Sequence, residues 1–392
     1  MKNVGQLIEG LKRNSAYLGW AAEGRSPENI KAHAMEVLAD CLSDPEAVER
    51  IPLPALAHEA VSVESLRGDP WASDMFDSVL REYRIAALVE QEASFAAIAE
   101  AEPAIVRGMS EFMSLFLMEN HKDDLDLEEF RLEASRNIGG LVEACLKPQL
   151  QALLHQVRIR RGKTASFDEI SRVKLGSVVQ ELRDTLDVPE LVVPSPWGLT
   201  LSQWRNIAQH HDSWVEGDSI VCRYDEGNAE KTIRLSRSEL IAVIERIQRV
   251  LGAIRTARAI VVLDDLEQLG GRVQPRELRP EVALFQLATA LATQGFEVAD
   301  FSAGDDVVVL SVLDAAKQTG LRRMIHSSQF VVPVWQAFPR DTVVVKYLDT
   351  HGDSALTSTA TGADCEAISS GAVPFEELAR RITLQLADGR RA

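Results

Sequence analysis

Residues 240–263 read LIAVIERIQRVLGAIRTARAIVVL, and this stretch predicts a long helix that begins at Ser236 or Ser238. Directly before it, residues 218–236 read DSIVCRYDEGNAEKTIRLS. Apolar residues alternate there on both sides of a turn at residues 226–228, which is typical of a β-hairpin. A hairpin followed by a long helix favours a helical bundle in which the hairpin is inserted before the last helix.

The same bundle is expected to contain two earlier helices and one short helix. A long amphipathic helix is predicted at about residues 127–161, ending at Gly162, and a second at about 167–186. A proline-rich connection, VPELVVPSPWG, then leads into a short helix that carries WRNIAQHH. We therefore predict a helical bundle over residues 126–270.

The chain on either side of the bundle has a different character. Residues 1–125 contain helix formers with apolar positions three and four apart, so a helical N-terminal domain is predicted. Residues 273–392 predict a small α+β domain with two hairpins and a final helix from Pro374; its strand-like runs are FEVADF, DVVVLSVL, TVVVKYL and SALTSTA. The predicted fold class is therefore mainly α, with three domains.

Composition and charge limit the possible classes of protein. The 392 residues are 46% hydrophobic, no apolar run is long enough to span a bilayer, and the four cysteines form no CxxC pair. We expect a cytoplasmic protein with no membrane association, no metal ion and no cofactor. The net charge of −17 weighs against nucleic-acid binding, but residues 1–130 account for −14 of it.

Residues 200–211, TLSQWRNIAQHH, contain the candidate catalytic residues. Thr200 and Gln203 fit a capping box, which predicts that a helix starts at Leu201. At 100° per residue, one arc of this helix is polar and the other apolar. Three residues of the polar arc are the predicted site: Arg205, Asn206 and His210. His211 falls on the apolar arc and is expected to face the core, and it remains the alternative catalytic histidine.

An arginine, an amide and a histidine on one face suit the cleavage of a phosphodiester bond. A neutral imidazole can take a proton from a ribose 2′-hydroxyl near neutral pH. A guanidinium can bind the non-bridging oxygens in a bidentate manner as charge develops. An exposed helix face on which these three residues occur together by chance is the competing interpretation.

Arg205-Asn206-Ile-Ala-Gln-His210 resembles the motif of the HEPN superfamily of prokaryotic defence and toxin proteins. The resemblance extends over about residues 130–265, including the helices, the hairpin and the long last helix. It implies a metal-independent endoribonuclease that cuts by 2′-hydroxyl attack and works as a homodimer with a shared cleft. By position, Arg205 would stabilise the transition state, and Asn206 would orient the histidine or the backbone. His210, or else His211, would act as acid or base.

The resemblance also implies partners and leaves other functions open. RNA, either tRNA or single-stranded RNA, is the expected substrate, and an antitoxin or another defence protein is a further expected partner. The cations predicted to bind RNA form one compact cluster: Arg158, Arg160, Arg161 and Lys163. A solvated helix end is the alternative interpretation of that cluster.

Two other functions remain open at this point. One is a non-catalytic HEPN module that binds RNA, a nucleotide or a partner protein. The other is a metal-dependent activity of Asp349, His351 and Asp353, whose alternation could place them on one face, although DTHGD is more typical of a polar hairpin turn.

Overall fold

The computed structural model describes residues 4–44, 46, 51–118, 125–163, 165–227, 229–272, 278–315, 320–349 and 351–387. This part of the chain is mainly helical and contains two small sheets, which confirms the predicted fold class at that level. The chain divides into two compact units. The mixed unit comprises Met1–Glu36, Pro52–His58 and Glu277–Ala392, and the helical unit comprises Val37–Ile51 and Glu59–Arg276.

The helices are, in chain order, α1 (Val4–Asn14), α2 (Ala16–Ala22), α3 (Pro27–Leu38), α4 (Leu53–Arg67), α5 (Pro70–Val89), α6 (Gln91–Met118), α7 (Leu127–Gly140), α8 (Lys147–Arg160), α9 (Phe167–Ser171), α10 (Leu175–Arg183), α11 (Leu201–Gln209), α12 (Arg237–Asp264), α13 (Leu266–Leu269), α14 (Pro280–Ala292), α15 (Leu321–Ser328), α16 (Val331–Ala337), α17 (Gly362–Ser369) and α18 (Leu378–Arg381). A π-helical turn, Leu141–Leu146, joins α7 to α8 and is called the π segment below. Short 3₁₀ turns lie at Ala39–Cys41, Pro189–Leu191 and Phe375–Glu377.

The strands form two separate sheets. The helical unit contains β1 (Ser213–Glu216), β2 (Ser219–Glu226) and β3 (Ala229–Leu235), which pair antiparallel in that order. The predicted hairpin is thus β2 and β3, with one further strand before it, and Asn228 of its turn lies outside the described residues. The mixed unit contains β4 (Phe296–Ala303), β5 (Val307–Asp314), β6 (Thr342–Leu348), β7 (Ser354–Thr361) and β8 (Thr383–Leu386).

The core of the helical unit is built around α12, as its sequence suggests. Ile247, Val250, Ile254 and Ala257 follow one another three and four residues apart, and all are fully buried. Helix α12 packs against α5, which buries Phe76, Val79 and Tyr83 at the same spacing. This repeat places one apolar stripe of each helix against the other. The helix begins after Ser236, whose side chain accepts the Glu239 N–H in a capping box.

The domain boundaries in the structure differ from the three predicted from sequence. Helices α5 and α6, which belong to the predicted N-terminal domain, pack against α8 and α12 of the bundle within the helical unit. Residues 1–36 instead belong to the mixed unit, where α1 contacts α14 and β4. Neither grouping is visible in local sequence patterns, because both are contacts between distant segments.

One predicted helix is divided in two, and another is short. Residues 167–186 are two helices, α9 and α10, because the buried Gln151 side chain donates to backbone carbonyls at the break: Ile170 (3.3 Å), Ser171 (2.8 Å) and Val173 (3.2 Å). These bonds satisfy acceptors that a continuous helix would use internally. A helix does follow Pro374 as predicted, but it is short: a 3₁₀ turn and α18 lead directly to β8, which pairs with β7.

The sheet of the mixed unit has one parallel pair among antiparallel ones. β4 pairs with β5 and β6 pairs with β7 antiparallel, which confirms the two predicted hairpins. β5 and β6 are parallel, and α15 and α16 lie in the connection between them. In the described residues, no helix combines the length and apolar character needed to cross a membrane.

Candidate functional site

Helix α11 is fixed by its start and by its buried face. Thr200 accepts the Gln203 N–H, and the Gln203 side chain accepts the Thr200 N–H, which is the predicted capping box. Trp204 is only 1% exposed and meets Trp197 edge-on at 6.0 Å between ring centres. With Leu201, Ile207 and Ala208 also buried, the remaining arc of the helix, including Arg205 and Asn206, must face outward.

The helix ends in a Schellman-type turn that contains both histidines. His210 is the C-cap residue and donates its N–H to the Asn206 carbonyl at 2.9 Å. The Asp212 N–H bonds to the Ile207 carbonyl at 3.1 Å, which closes the turn over His211. His211 has φ of +57°, the left-handed conformation of this position. The side chains of His210 and His211 are both exposed.

The predicted orientation of His211 is therefore wrong. A helix that continued through residue 211 would place this imidazole on the apolar arc. The helix stops at Gln209, and the left-handed residue turns the chain away before His211 can reach the core. The geometric reason for preferring His210 over His211 no longer applies, and both remain candidates.

The chain beyond the turn is attached firmly to its neighbours. The Arg223 N–H donates to the Asp212 carbonyl at 2.8 Å, and the Arg223 guanidinium pairs with the Asp212 carboxylate. Arg131 of α7 is buried and donates to the Ser213 carbonyl at 3.0 Å. These contacts hold the end of α11 against β2 and α7, so the two histidines extend from a fixed backbone.

The guanidinium of Arg205 lies against α11 and the π segment. Its Nε is 3.3 Å from Oε2 of Glu143, and its Nη1 donates to Oε1 of Gln209 at 3.3 Å. The other carboxylate oxygen of Glu143 accepts from Nζ of Lys147 at 2.5 Å. Neither Glu143 nor Lys147 was identified from the sequence, because an i,i+4 acid and base on a helix is a common surface pattern.

Asn206 and His210 occupy the open side of the site. They are four residues apart, so they share one face of α11, and both side chains are exposed. Among the described residues, neither side chain has a hydrogen-bond or ion-pair partner. An amide and an imidazole without protein partners can bind a polar ligand without first breaking an internal bond.

The predicted RNA-binding cluster is largely engaged with carboxylates. Arg158 makes a two-pronged ion pair with Glu181, at 3.0 and 2.6 Å. The hydrogen bond between them raises the pKa of Arg158 and lowers the pKa of Glu181. Arg160 pairs at 2.7 Å with Glu82, whose carboxylate is only 2% exposed. Burial raises the pKa of Glu82.

The remaining two cations of the cluster are more open. The side chains of Arg161 and Lys163 are exposed and line a groove with Glu181 of α10 and with Asp184, which directly follows that helix. Lys163 lies 4.0 Å from Glu181, and Arg161 donates to the Thr185 hydroxyl at 3.4 Å. The groove is therefore lined by both acidic and basic side chains, which weakens its attraction for a polyanion.

In the mixed unit, the residues considered as metal ligands form a turn: Asp349, His351 and Asp353. Oδ1 of Asp349 accepts the N–H groups of His351 (2.8 Å) and Asp353 (3.0 Å). These bonds lower the pKa of Asp349. Within the described ranges, no three His, Cys, Asp or Glu side chains are grouped so that they could hold a metal ion. The arrangement matches the polar hairpin turn that DTHGD is typical of.

Comparison with known proteins found no relative of this chain. No protein-family model, no curated protein and no solved structure matches the chain.

Proposed function

We propose that the protein is a metal-independent endoribonuclease whose site lies at the end of α11. The observation that carries the proposal is the end of α11, where a half-buried arginine, an exposed amide and two exposed imidazoles lie on a fixed backbone: Arg205, Asn206, His210 and His211. These are the groups that phosphodiester cleavage needs, and they belong to the segment that resembles HEPN proteins.

In the proposed reaction the 2′-hydroxyl oxygen attacks the adjacent phosphorus. One imidazole accepts the hydroxyl proton, the new O–P bond closes a 2′,3′-cyclic phosphate, and the bond to the 5′-oxygen breaks. The departing oxygen takes a proton from an imidazolium. The Arg205 guanidinium binds the non-bridging oxygens while their negative charge grows. Asn206 orients the phosphate or the neighbouring imidazole.

The proposed setting is prokaryotic defence or a toxin–antitoxin system, and the proposed active form is a homodimer. Both rest on the resemblance of residues 130–265 to HEPN proteins. A dimer also answers a chemical need, since two copies of the site would supply paired cations and paired imidazoles around one phosphate.

The experiment is cleavage of single-stranded RNA and tRNA in excess EDTA, with the ends of the products analysed. We expect cleavage to persist and to leave 2′,3′-cyclic phosphates. Arg205→Lys should reduce the rate by about 10²- to 10³-fold, because an ammonium keeps the charge but loses the planar fork. Arg172→Lys is the matched control, since Arg172 is exposed, pairs with Asp168 of its own short helix and lies outside the proposed site. Activity that EDTA abolishes and magnesium restores would contradict the mechanism.

A second candidate is a non-catalytic module that binds RNA, a nucleotide or a partner protein through the same surface. The ion pair between Arg205 and Glu143 favours it, because a carboxylate beside the guanidinium reduces the positive potential offered to a phosphate. In that case Arg205→Lys would weaken RNA binding, and purified protein would leave the RNA intact with or without metal.

A further inference from the structure

The guanidinium of Arg205 is held on one side and open on the other. Nε of Arg205 and Oε2 of Glu143 are both shielded from solvent and face each other at 3.3 Å, in an ion-pair contact without hydrogen-bond alignment. Gln209 accepts from Nη1. A guanidinium carries five N–H donors, and within the described residues these two contacts are the only ones its nitrogens make. The donors of Nη2 therefore remain for an anion.

The carboxylate of Glu143 is itself fixed from two directions. Lys147 binds its other oxygen at 2.5 Å. Its backbone belongs to the π segment, and this irregular turn is held against α6. A Cβ on Gly108 of α6 would lie only 2.5 Å from the Ala144 carbonyl oxygen, and Cys145 Sγ donates to the Gly108 carbonyl at 3.2 Å. Single π turns inside α-helices frequently lie at functional sites.

We infer that Glu143 is a positioning residue for Arg205, holding the Nε side of the guanidinium so that its outer edge meets the scissile phosphate of RNA. This inference rests on the proposed function. The carboxylate touches no substrate; it acts by fixing the direction of the arginine. Misplacement of a binding group by about 1 Å can cost on the order of 100-fold in rate.

The experiment compares three carboxylate variants. Glu143→Ala removes the contact, whereas Glu143→Gln keeps an acceptor of the same length without the charge. Glu92→Ala is the matched control, because Glu92 makes a two-pronged ion pair with Arg272 in the same unit, and neither residue belongs to the proposed site. For each protein we would measure kcat and KM on RNA, and the ¹⁵N–¹H signal of the Arg205 Nε, which is identified by its loss in Arg205→Lys.

We expect Glu143→Ala to shift and broaden the Arg205 Nε signal and to lower kcat by about 10- to 100-fold, with KM changed by less than about threefold. Glu143→Gln should recover part of the wild-type Nε signal and part of the wild-type kcat. Glu92→Ala should leave the Nε signal and kcat unchanged. Combined with Arg205→Lys, Glu143→Ala should cause no further loss, because a positioning residue has no effect once its target is gone.

Two results would overturn the inference. One is an unchanged Nε signal and an unchanged kcat in Glu143→Ala. The other is tighter RNA binding and faster cleavage, which would mean that Glu143 competes with the phosphate. If Glu143→Ala fails to fold, Glu143→Gln decides by the same criteria. If the wild-type protein cuts no RNA, the proposed function fails, and the Nε signal still tests whether Glu143 positions Arg205.

Discussion

At the scale of single residues, the backbone of His211 is the least expected feature of the site. A left-handed conformation favours glycine, and other residues incur about 1–2 kcal/mol of steric cost in it. His211 adopts it at φ +57°, at the position where glycine most often ends a helix. Non-glycine residues in unfavourable backbone conformations cluster at functional sites, which supports a role for the exposed His211.

This conformation predicts opposite effects of glycine at two adjacent positions. His211→Gly should raise the free energy of unfolding by about 0.5–1 kcal/mol, because steric relief outweighs the entropy of the more flexible unfolded chain. His210→Gly should lower it by a similar amount, since the C-cap has φ of −92° and gains nothing from glycine. Urea denaturation of the two variants and the wild type is the measurement.

The same two variants also address catalysis. If His211 is the acid or base, His211→Gly yields a more stable protein that no longer cuts RNA. A loss of stability greater than about 1 kcal/mol in His211→Gly would instead show that the imidazole makes a stabilising contact, and would contradict this account of the turn.

The sequence could predict where α11 starts but not how it ends. Thr200 and Gln203 are a local signal for a helix start, and the structure confirms it. No glycine or proline follows Gln209 directly, so the sequence pattern predicted a helix that continues through His211. The contact between Arg205 and Glu143 could not be predicted either, because Glu143 lies on another helix and is close to Arg205 only in the folded chain.

At the scale of elements, regular helices and hairpins were predictable and their irregularities were not. The apolar repeat of α12 and the alternation in β2 and β3 are local patterns that the structure confirms. The break between α9 and α10 depends on Gln151, which reaches it from α8. The π segment lies directly against α6 at Gly108, a contact that no local pattern in residues 141–146 reveals.

The close approach at Gly108 predicts that the same substitution has opposite effects in two helices. In Gly108→Ala the new Cβ would lie 2.5 Å from the Ala144 carbonyl oxygen, a backbone atom that cannot move alone. We expect a loss of about 1–3 kcal/mol in the free energy of unfolding and slower RNA cleavage, because the π segment carries Glu143. Gly252→Ala in α12 is the control, because the nearest atom, Leu66 Cδ2, is 4.0 Å from the new Cβ.

Gly252→Ala should raise the free energy of unfolding by about 0.5–1 kcal/mol, since alanine has the higher helix propensity. Thermal and urea denaturation of both variants test the comparison. If Gly108→Ala is as stable as the wild type and equally active, the packing of α6 against the π segment is not needed to hold Glu143 in place.

At the scale of the whole molecule, charge limits how RNA can be bound. The chain carries a net charge of −17. Two of the four cations predicted to bind RNA form close ion pairs with Glu181 and Glu82. Long-range attraction of a polyanion by one chain is therefore weak. The RNA binding that we propose therefore depends on short-range contacts at the end of α11, where Arg205 lies beside the exposed amide and imidazoles.

One copy of the proposed site has one arginine assigned to the phosphate, Arg205, which is why we expect the active form to be a dimer. Light scattering on the purified protein at micromolar concentration should give a mass near twice 43.2 kDa. A shared cleft that needs groups from both protomers makes a sharper demand: an inactive protomer should disable its wild-type partner. Wild-type protein mixed with an excess of Arg205→Lys, after the subunits have exchanged, should cut RNA more slowly than the same amount of wild type alone, because a mixed dimer keeps only one Arg205. A monomeric mass with and without RNA, or cleavage by the mixture equal to that of the wild type alone although exchange is demonstrated, would restrict the site to one chain.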